Sequence, residues 1–326
     1  MLAVVVLRLA SAGDRCRSTP ELDQLQARLS ALMTYRVAAD VLAHLLPIDA
    51  GKIPETLRSH TLRVGEQLSD AASDQPAAAV AAITVSLDPT FIRSREKAER
   101  HLEVRVGNVE TAGGGQQVFG AVAKADTDIA ALVRRNLETV GRTADTEVTA
   151  FTDGCPGLRC ILANAGVTKP PILDWFHIAM RLQHAKQVAS GLSTDDPDRV
   201  QAKAVIVAGS SACAGAFGTA RRRMLSAASI GSARSCMSSR VSVAITRKVC
   251  RRAGFGAHCM TSIAISGGQS AWLVNYAEGY RAGLRVGTSI TEGTANFLVN
   301  RRMNKSQQMR WSRRGADLLL QVRCAV

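Results

Sequence analysis

Apolar residues at helical spacing mark the first element of the chain. Leu22, Leu25, Leu29 and Leu32 in "STPELDQLQARLSAL" predict a helix capped by Ser18 or Thr19, with Pro20 in its first turn and the four leucines as its buried stripe. "RVAADVLAHLLP" predicts a second helix that stops at Pro47, and "IPETLRSHTLRVGEQL" a third with Arg58, His60 and Arg63 on its polar side. Two readings fit the second and third. They form either a helix-turn-helix, in which Pro54–Leu68 enters a major groove, or a plain helical hairpin with a solvated basic face. Residues 71–80, "AASDQPAAAV", read as a linker.

Beyond the linker the period changes. "AAITVSLDPTFIR" predicts a strand carrying Asp88, "LEVRVGNVE" alternates as a half-buried strand does, and "GGGQQVFGAVAK" makes a third strand after a Gly-rich turn. Asp126–Val140 predicts an amphipathic helix, "EVTAFTDG" a fourth strand ending in Asp153, and "CPGLRCILANAG" a helix closed by Gly166. "PPILDWF" predicts a short fifth strand, and "HIAMRLQHAKQVASGL" a helix closed by Gly191. Three strands followed by alternating helix and strand describe a layered α/β domain. The order resembles that of the RNase H-like fold, a mixed sheet with flanking helices in which the first and fourth strands are neighbours.

That neighbourhood directs attention to the carboxylates. Asp88 and Asp153 would lie on adjacent strands, and Glu292, in "TSITEGTANFLVNRRMNK", begins a later helix with a basic polar side. Two divalent cations about 3.5–4 Å apart require oxygen ligands from two or three carboxylates. Each residue also has a plainer reading, since an Asp before Gly or Pro at a strand end commonly forms a turn or caps a helix. Asp174 reads as a cap for the helix that begins near His177, or as a group that supports the site residues. His177 is a buried histidine, a proton donor or a phosphate contact.

"VSLDPTFIR", "FTDGCPGLR", "LDWFHIAMRLQ", "VNYAEGYRAGLRVGTSITEGTANFLVNRRMNKSQQMRW" and "GADLLLQVRCAV" resemble the DDE transposases of bacterial insertion sequences. The similarity is to the group with an Asp-Trp-Phe-His segment after the second Asp, distantly Mutator-like, and it covers residues 18–195 and 268–326. It implies that Asp88, Asp153 and Glu292 are the metal-binding carboxylates for two Mg²⁺ or Mn²⁺ ions, with His177 beside the scissile phosphate and Asp174 supporting. It implies Arg301, Arg302, Lys305 and Arg310 as contacts to DNA phosphates, with Trp311 stacking or packing; the helix-turn-helix reading adds Arg58 and Arg63 of the third helix. The expected partners are double-stranded DNA at terminal inverted repeats, target DNA and further copies of the chain. The expected location is the bacterial cytoplasm at the nucleoid. Alternatives are a catalytically dead remnant that still binds inverted repeats, and an RNase H-like nuclease of another kind.

Composition changes this picture in one place. The formal charge is +14, with 41 Lys and Arg against 27 Asp and Glu, which points to a polyanionic partner. Yet residues 199–277 hold nine Arg, two Lys, four of the eight Cys and no acid, where about six or seven acids are expected. The stretch is either a basic DNA-binding insertion or a segment translated out of frame. The second reading is preferred, because GC-rich DNA read out of frame yields Arg, Ala, Ser, Gly and Cys. It makes the basic excess largely an artefact and the product an inactive copy. The eight Cys form no CxxC pair, so a zinc ribbon is unsupported and reduced thiols are expected. There is no apolar run long enough to span a membrane. "MLAVVVLRLASAG" lacks the basic start of a secretion signal and is interrupted by Arg8. The domain plan is a non-native leader at 1–18, a helical DNA-binding domain at 19–70, catalytic core at 81–195, an insertion at 196–270, and C-terminal core helices at 271–326.

Overall fold

A computed structural model describes residues 18–46, 53–70, 78–122, 125–191, 276–287, 289–304 and 309–326, together with 200, 203–204, 207 and 274. The leader, Pro47, Lys305 and nearly all of the 196–270 insertion lie outside the described residues. Contacts divide the chain into two compact units. One comprises Met1–Thr149, Cys160–Thr168 and Ile290–Val326; the other comprises Ala150–Arg159 and Lys169–Ser289.

The chain is a mixed α/β protein with a five-stranded mixed sheet. β1 (Ala82–Arg93), β2 (His101–Thr111), β3 (Gln116–Ala121), β4 (Glu147–Thr152) and β5 (Ile172–Leu173) take the order β3-β2-β1-β4-β5. β1 pairs antiparallel with β2, from Ile83 opposite Thr111 to Arg93 opposite His101, and β2 with β3 in the same sense. β4 and β5 are parallel. Alternation drives the burial. Leu102, Val104 and Val106 of β2 face one way, into a core with Leu298, Val299, Met303, Trp311, Leu319 and Leu320. On β2, Gly107 lies under Phe119, whose ring atoms stand 2.2–2.7 Å from where a Cβ would sit.

The helices of the first unit are α1 (Pro20–Leu32), α2 (Tyr35–Leu45), α3 (Pro54–Asp70) and α4 (Asp126–Thr139). α1 starts as its sequence predicts, with the Thr19 hydroxyl accepting from Leu22 N–H and Pro20 following. Its buried face is a different one. Asp23, Gln26, Ala27, Ser30 and Ala31 are buried, while Leu25 and Leu32 are 39% and 51% exposed. Leu29 turns instead toward Ala38, Ala39, Leu42 and Leu57. The reason is close approach: Ala27 and Ala31 meet Val64 of α3 and Val322 of the last helix, α9 (Arg313–Ala325), where leucines would hold the helices apart. α3 and α9 are closer still, since a Cβ on Gly65 would lie 2.4 Å from the Leu318 carbonyl oxygen.

α3 therefore packs against α1, α2 and α9. Its Arg58 is exposed, but Arg63 is ion-paired with Asp23, and Glu66 with Arg314. Residues 19–70 fall within the same compact unit as the β1–β2–β3 strands and α9. Glu55, Arg58, Ser59, Gln67 and Ser69 of α3 stay exposed along its outer side.

The remaining helices are α5 (Pro156–Asn164), α6 (Trp175–Ser190), α7 (Tyr276–Arg281) and α8 (Ser289–Ala295). α8 runs on as a π-helical stretch, Asn296–Asn304. α6 begins two residues earlier than the expected His177, because Asp174 caps it and draws Trp175 and Phe176 out of the strand. β5 is correspondingly short.

Candidate active site

Two of the sequence-predicted carboxylates belong to the second unit. Asp153 follows β4 directly. One of its oxygens accepts the Cys155 N–H at 2.8 Å, across Gly154, whose φ is +89°. That left-handed step is what a glycine supplies at a tight strand-to-helix turn. Arg159 Nη2 donates to the Gly154 carbonyl at 3.1 Å and closes the loop. Asp153 is half-buried and serves this turn at the start of α5, so the turn-forming reading of its Asp-Gly pair holds locally.

Asp174 is 2% exposed and is the N-cap of α6, its Oδ1 accepting the Phe176 N–H at 2.9 Å. Its own N–H donates to the Thr152 carbonyl, also at 2.9 Å. Two residues that sequence reasoning missed complete its surroundings. The Tyr276 hydroxyl donates to the Leu173 carbonyl at 2.6 Å, and its ring lies 5.5 Å from that of Trp175. Burial and then the Asp174 charge push the Tyr276 phenol well above its ordinary range. Gly287 passes so near that a Cβ there would lie 2.8 Å from Asp174 Oδ1. Leu173, Ile178 and Tyr276 form the core of this unit, with Trp175 and Val286 against it. His177 is half-buried in the first turn of α6. Trp175 belongs to this packing; Phe176 is 41% exposed.

The other two carboxylates belong to the first unit. Asp88 lies within β1, half-buried and opposite Val106 of β2, with Pro89 opposite Arg105. Glu292 is half-buried in the first turn of α8. Of the cations expected on DNA, Arg301 and Arg310 are exposed and Lys305 lies outside the described residues.

Arg302, expected at a phosphate, is only 3% exposed and turns into the protein instead. Its Nε donates to the Ser30 carbonyl at 2.9 Å, and its guanidinium lies 5.0 Å from the Tyr35 ring centre and 5.4 Å from that of Trp311. Trp311 is itself buried, donating from Nε1 to the Met303 carbonyl at 3.1 Å, so it packs rather than stacks on a base.

Among the described residues, no three His, Cys, Asp or Glu side chains gather into a group able to hold a metal ion. Among the described residues, too, no helix is long and apolar enough to cross a membrane. Neither protein-family models nor curated proteins gave a match to the chain.

Proposed function

We propose that the chain is a DDE-type transposase protein with an RNase H-like core, acting on the DNA ends of an insertion sequence. The observation that carries this reading is the strand order β3-β2-β1-β4-β5, with Asp88 on β1 and Asp153 directly after its neighbour β4. Glu292 on a helix near the C-terminal end of the chain follows in the order the resemblance requires. The reaction class is phosphoryl transfer: a hydroxyl oxygen attacks phosphorus, a new P–O bond forms, and the P–O3′ bond breaks with the 3′ oxygen leaving.

The test is cleavage of a duplex carrying the element's terminal repeats, with Mg²⁺ or Mn²⁺ supplied, by the parent chain and by Asp153→Asn. The parent cuts at the repeat end and the variant does not, while both bind the duplex alike. A variant that cuts as well as the parent sinks the assignment of Asp153. If neither cuts and a gel shift still prefers repeat DNA over random DNA, the chain is the binding remnant of such an enzyme.

A further inference from the structure

We infer that the β1–β2 hairpin, together with Arg310, forms a sequence-independent binding cleft for the phosphate backbone of duplex DNA. Arg93, Arg95, Lys97, Arg100 and Arg310 line a concavity of about 490 Å³ in the first unit, against only two acids, Glu96 and Glu99. The acids are already engaged. Glu99 Oε2 pairs with Arg313 Nη2 at 2.6 Å, and Glu96 Oε1 accepts the Arg313 N–H at 3.0 Å. The five cations are exposed and carry no ion pair among the described residues.

The backbone sets this arrangement. Ser94 bridges Trp311 in parallel, Arg95 N–H donates to the Trp311 carbonyl, and Trp311 N–H donates to the Arg93 carbonyl, each at 2.9 Å. Extended chains alternate sides. Ser94 and Trp311 are therefore buried, while Arg93, Arg95 and Arg310 turn outward on one rim. Five cations against two carboxylates, one of them paired with Arg313, leave the cleft net positive, and a polyanion relieves the self-repulsion.

The character of the cleft selects among polyanions. Its cations are spread over a strand end, a hairpin and a distant segment. They do not converge from buried positions, as a site for a small anion would require. The lining has no Phe, Tyr or Trp ring on which a base could stack; His101 is its one imidazole. A concave basic trough suits a charged chain better than the plane of an anionic membrane. Contacts of this kind position nucleic acid without reading its sequence. The choice of DNA as the polyanion rests on the function proposed above; the cleft itself rests on charge and shape.

The experiment is fluorescence anisotropy of a labelled random-sequence duplex against the full chain over a salt series. The parent is compared with the triple variant Arg95→Gln, Lys97→Gln, Arg310→Gln, and with Arg135→Gln, an exposed cation of α4, as control. Each phosphate contact contributes about 0.9 to the slope of log affinity against log salt. The triple variant is expected to lose about 2.7 of that slope and at least about tenfold in affinity. The control matches the parent. A triple variant with the parent's slope and affinity overturns the inference, as does a loss confined to anionic vesicles with DNA binding intact. The assay reads binding alone, so absent cleavage with the slope difference preserved fails the earlier proposal and leaves this one standing.

Discussion

Arg302 and Arg95 are the same residue type in the same compact unit, yet they meet opposite demands. α1 ends at Leu32, so the Ser30 carbonyl is among the last four of its helix and has no intrahelical donor. Arg302 supplies one. Arg323 likewise donates to backbone at the π-helical stretch, from Nε to the Leu298 carbonyl at 2.5 Å and from Nη2 to that of Phe297. Burial, with Arg302 nearby, brings the Arg323 guanidinium down to about 10, which leaves it charged at neutral pH. The hairpin arginines have no such carbonyl to complete, and their heads stay in water. Charge alone does not define a nucleic-acid face; the backbone groups left unsatisfied around each cation decide which arginines are structural.

The largest effect is expected at Arg302. Arg302→Ala orphans the Ser30 carbonyl and opens a void between Tyr35 and Trp311, at a cost of about 3 kcal/mol read as a lower urea midpoint. Arg302→Met keeps most of the volume and loses the donor, so it recovers part of the loss. A Met variant as stable as the parent would mean that packing alone explains the residue, and the contrast with Arg95 would collapse to burial.

Much of the fold is legible in the sequence for the same reason that Arg302 is not. Alternation over its first half gives β2, and Thr19-Pro20 gives the start of α1, because these signals are local. Arg301 and Arg302 are adjacent on one helix and read alike; only the carbonyl of Ser30, far away in sequence, separates them. The leucine stripe of α1 competes with the stripe of Ala27, Ser30 and Ala31. What decides is how closely α3 and α9 approach, which Gly65 allows and no periodicity reports. At the site, Asp153 is visible as a strand-end Asp, whereas Tyr276 and Gly287 come to Asp174 from more than a hundred residues on.

Asp174 extends the comparison to an acid. It completes the Phe176 N–H at a helix start as Arg302 completes a carbonyl at a helix end. Asp174→Ala is expected to cost about 1 kcal/mol, the usual worth of an N-cap, while Asp174→Asn, which caps as well, stays near the parent. Calorimetric unfolding of the two variants separates them. An Asn variant as weak as the Ala variant would show that the charge, rather than the cap, holds α6.

The smallest effect is expected at His60, which stands between the buried and the exposed groups. Its Nδ1 lies 2.5 Å from Gln26 Oε1 and 3.1 Å from Asp23 Oδ1, with Arg63 on the same carboxylate. Burial lowers its pKa below the ordinary 6.5; Asp23 works against that and Arg63 with it. The folded chain then holds fewer protons on His60 than the unfolded chain just below pH 6.5. Its contribution to stability is complete above that value and is lost as pH falls through the lowered pKa. The urea midpoint of the parent should decline on acidification through this window more steeply than that of His60→Gln. Parallel declines would assign the loss to other groups. A steeper decline in the variant would mean that the Asp23 attraction outweighs burial, making His60 a cation held for its charge, as a paired arginine is.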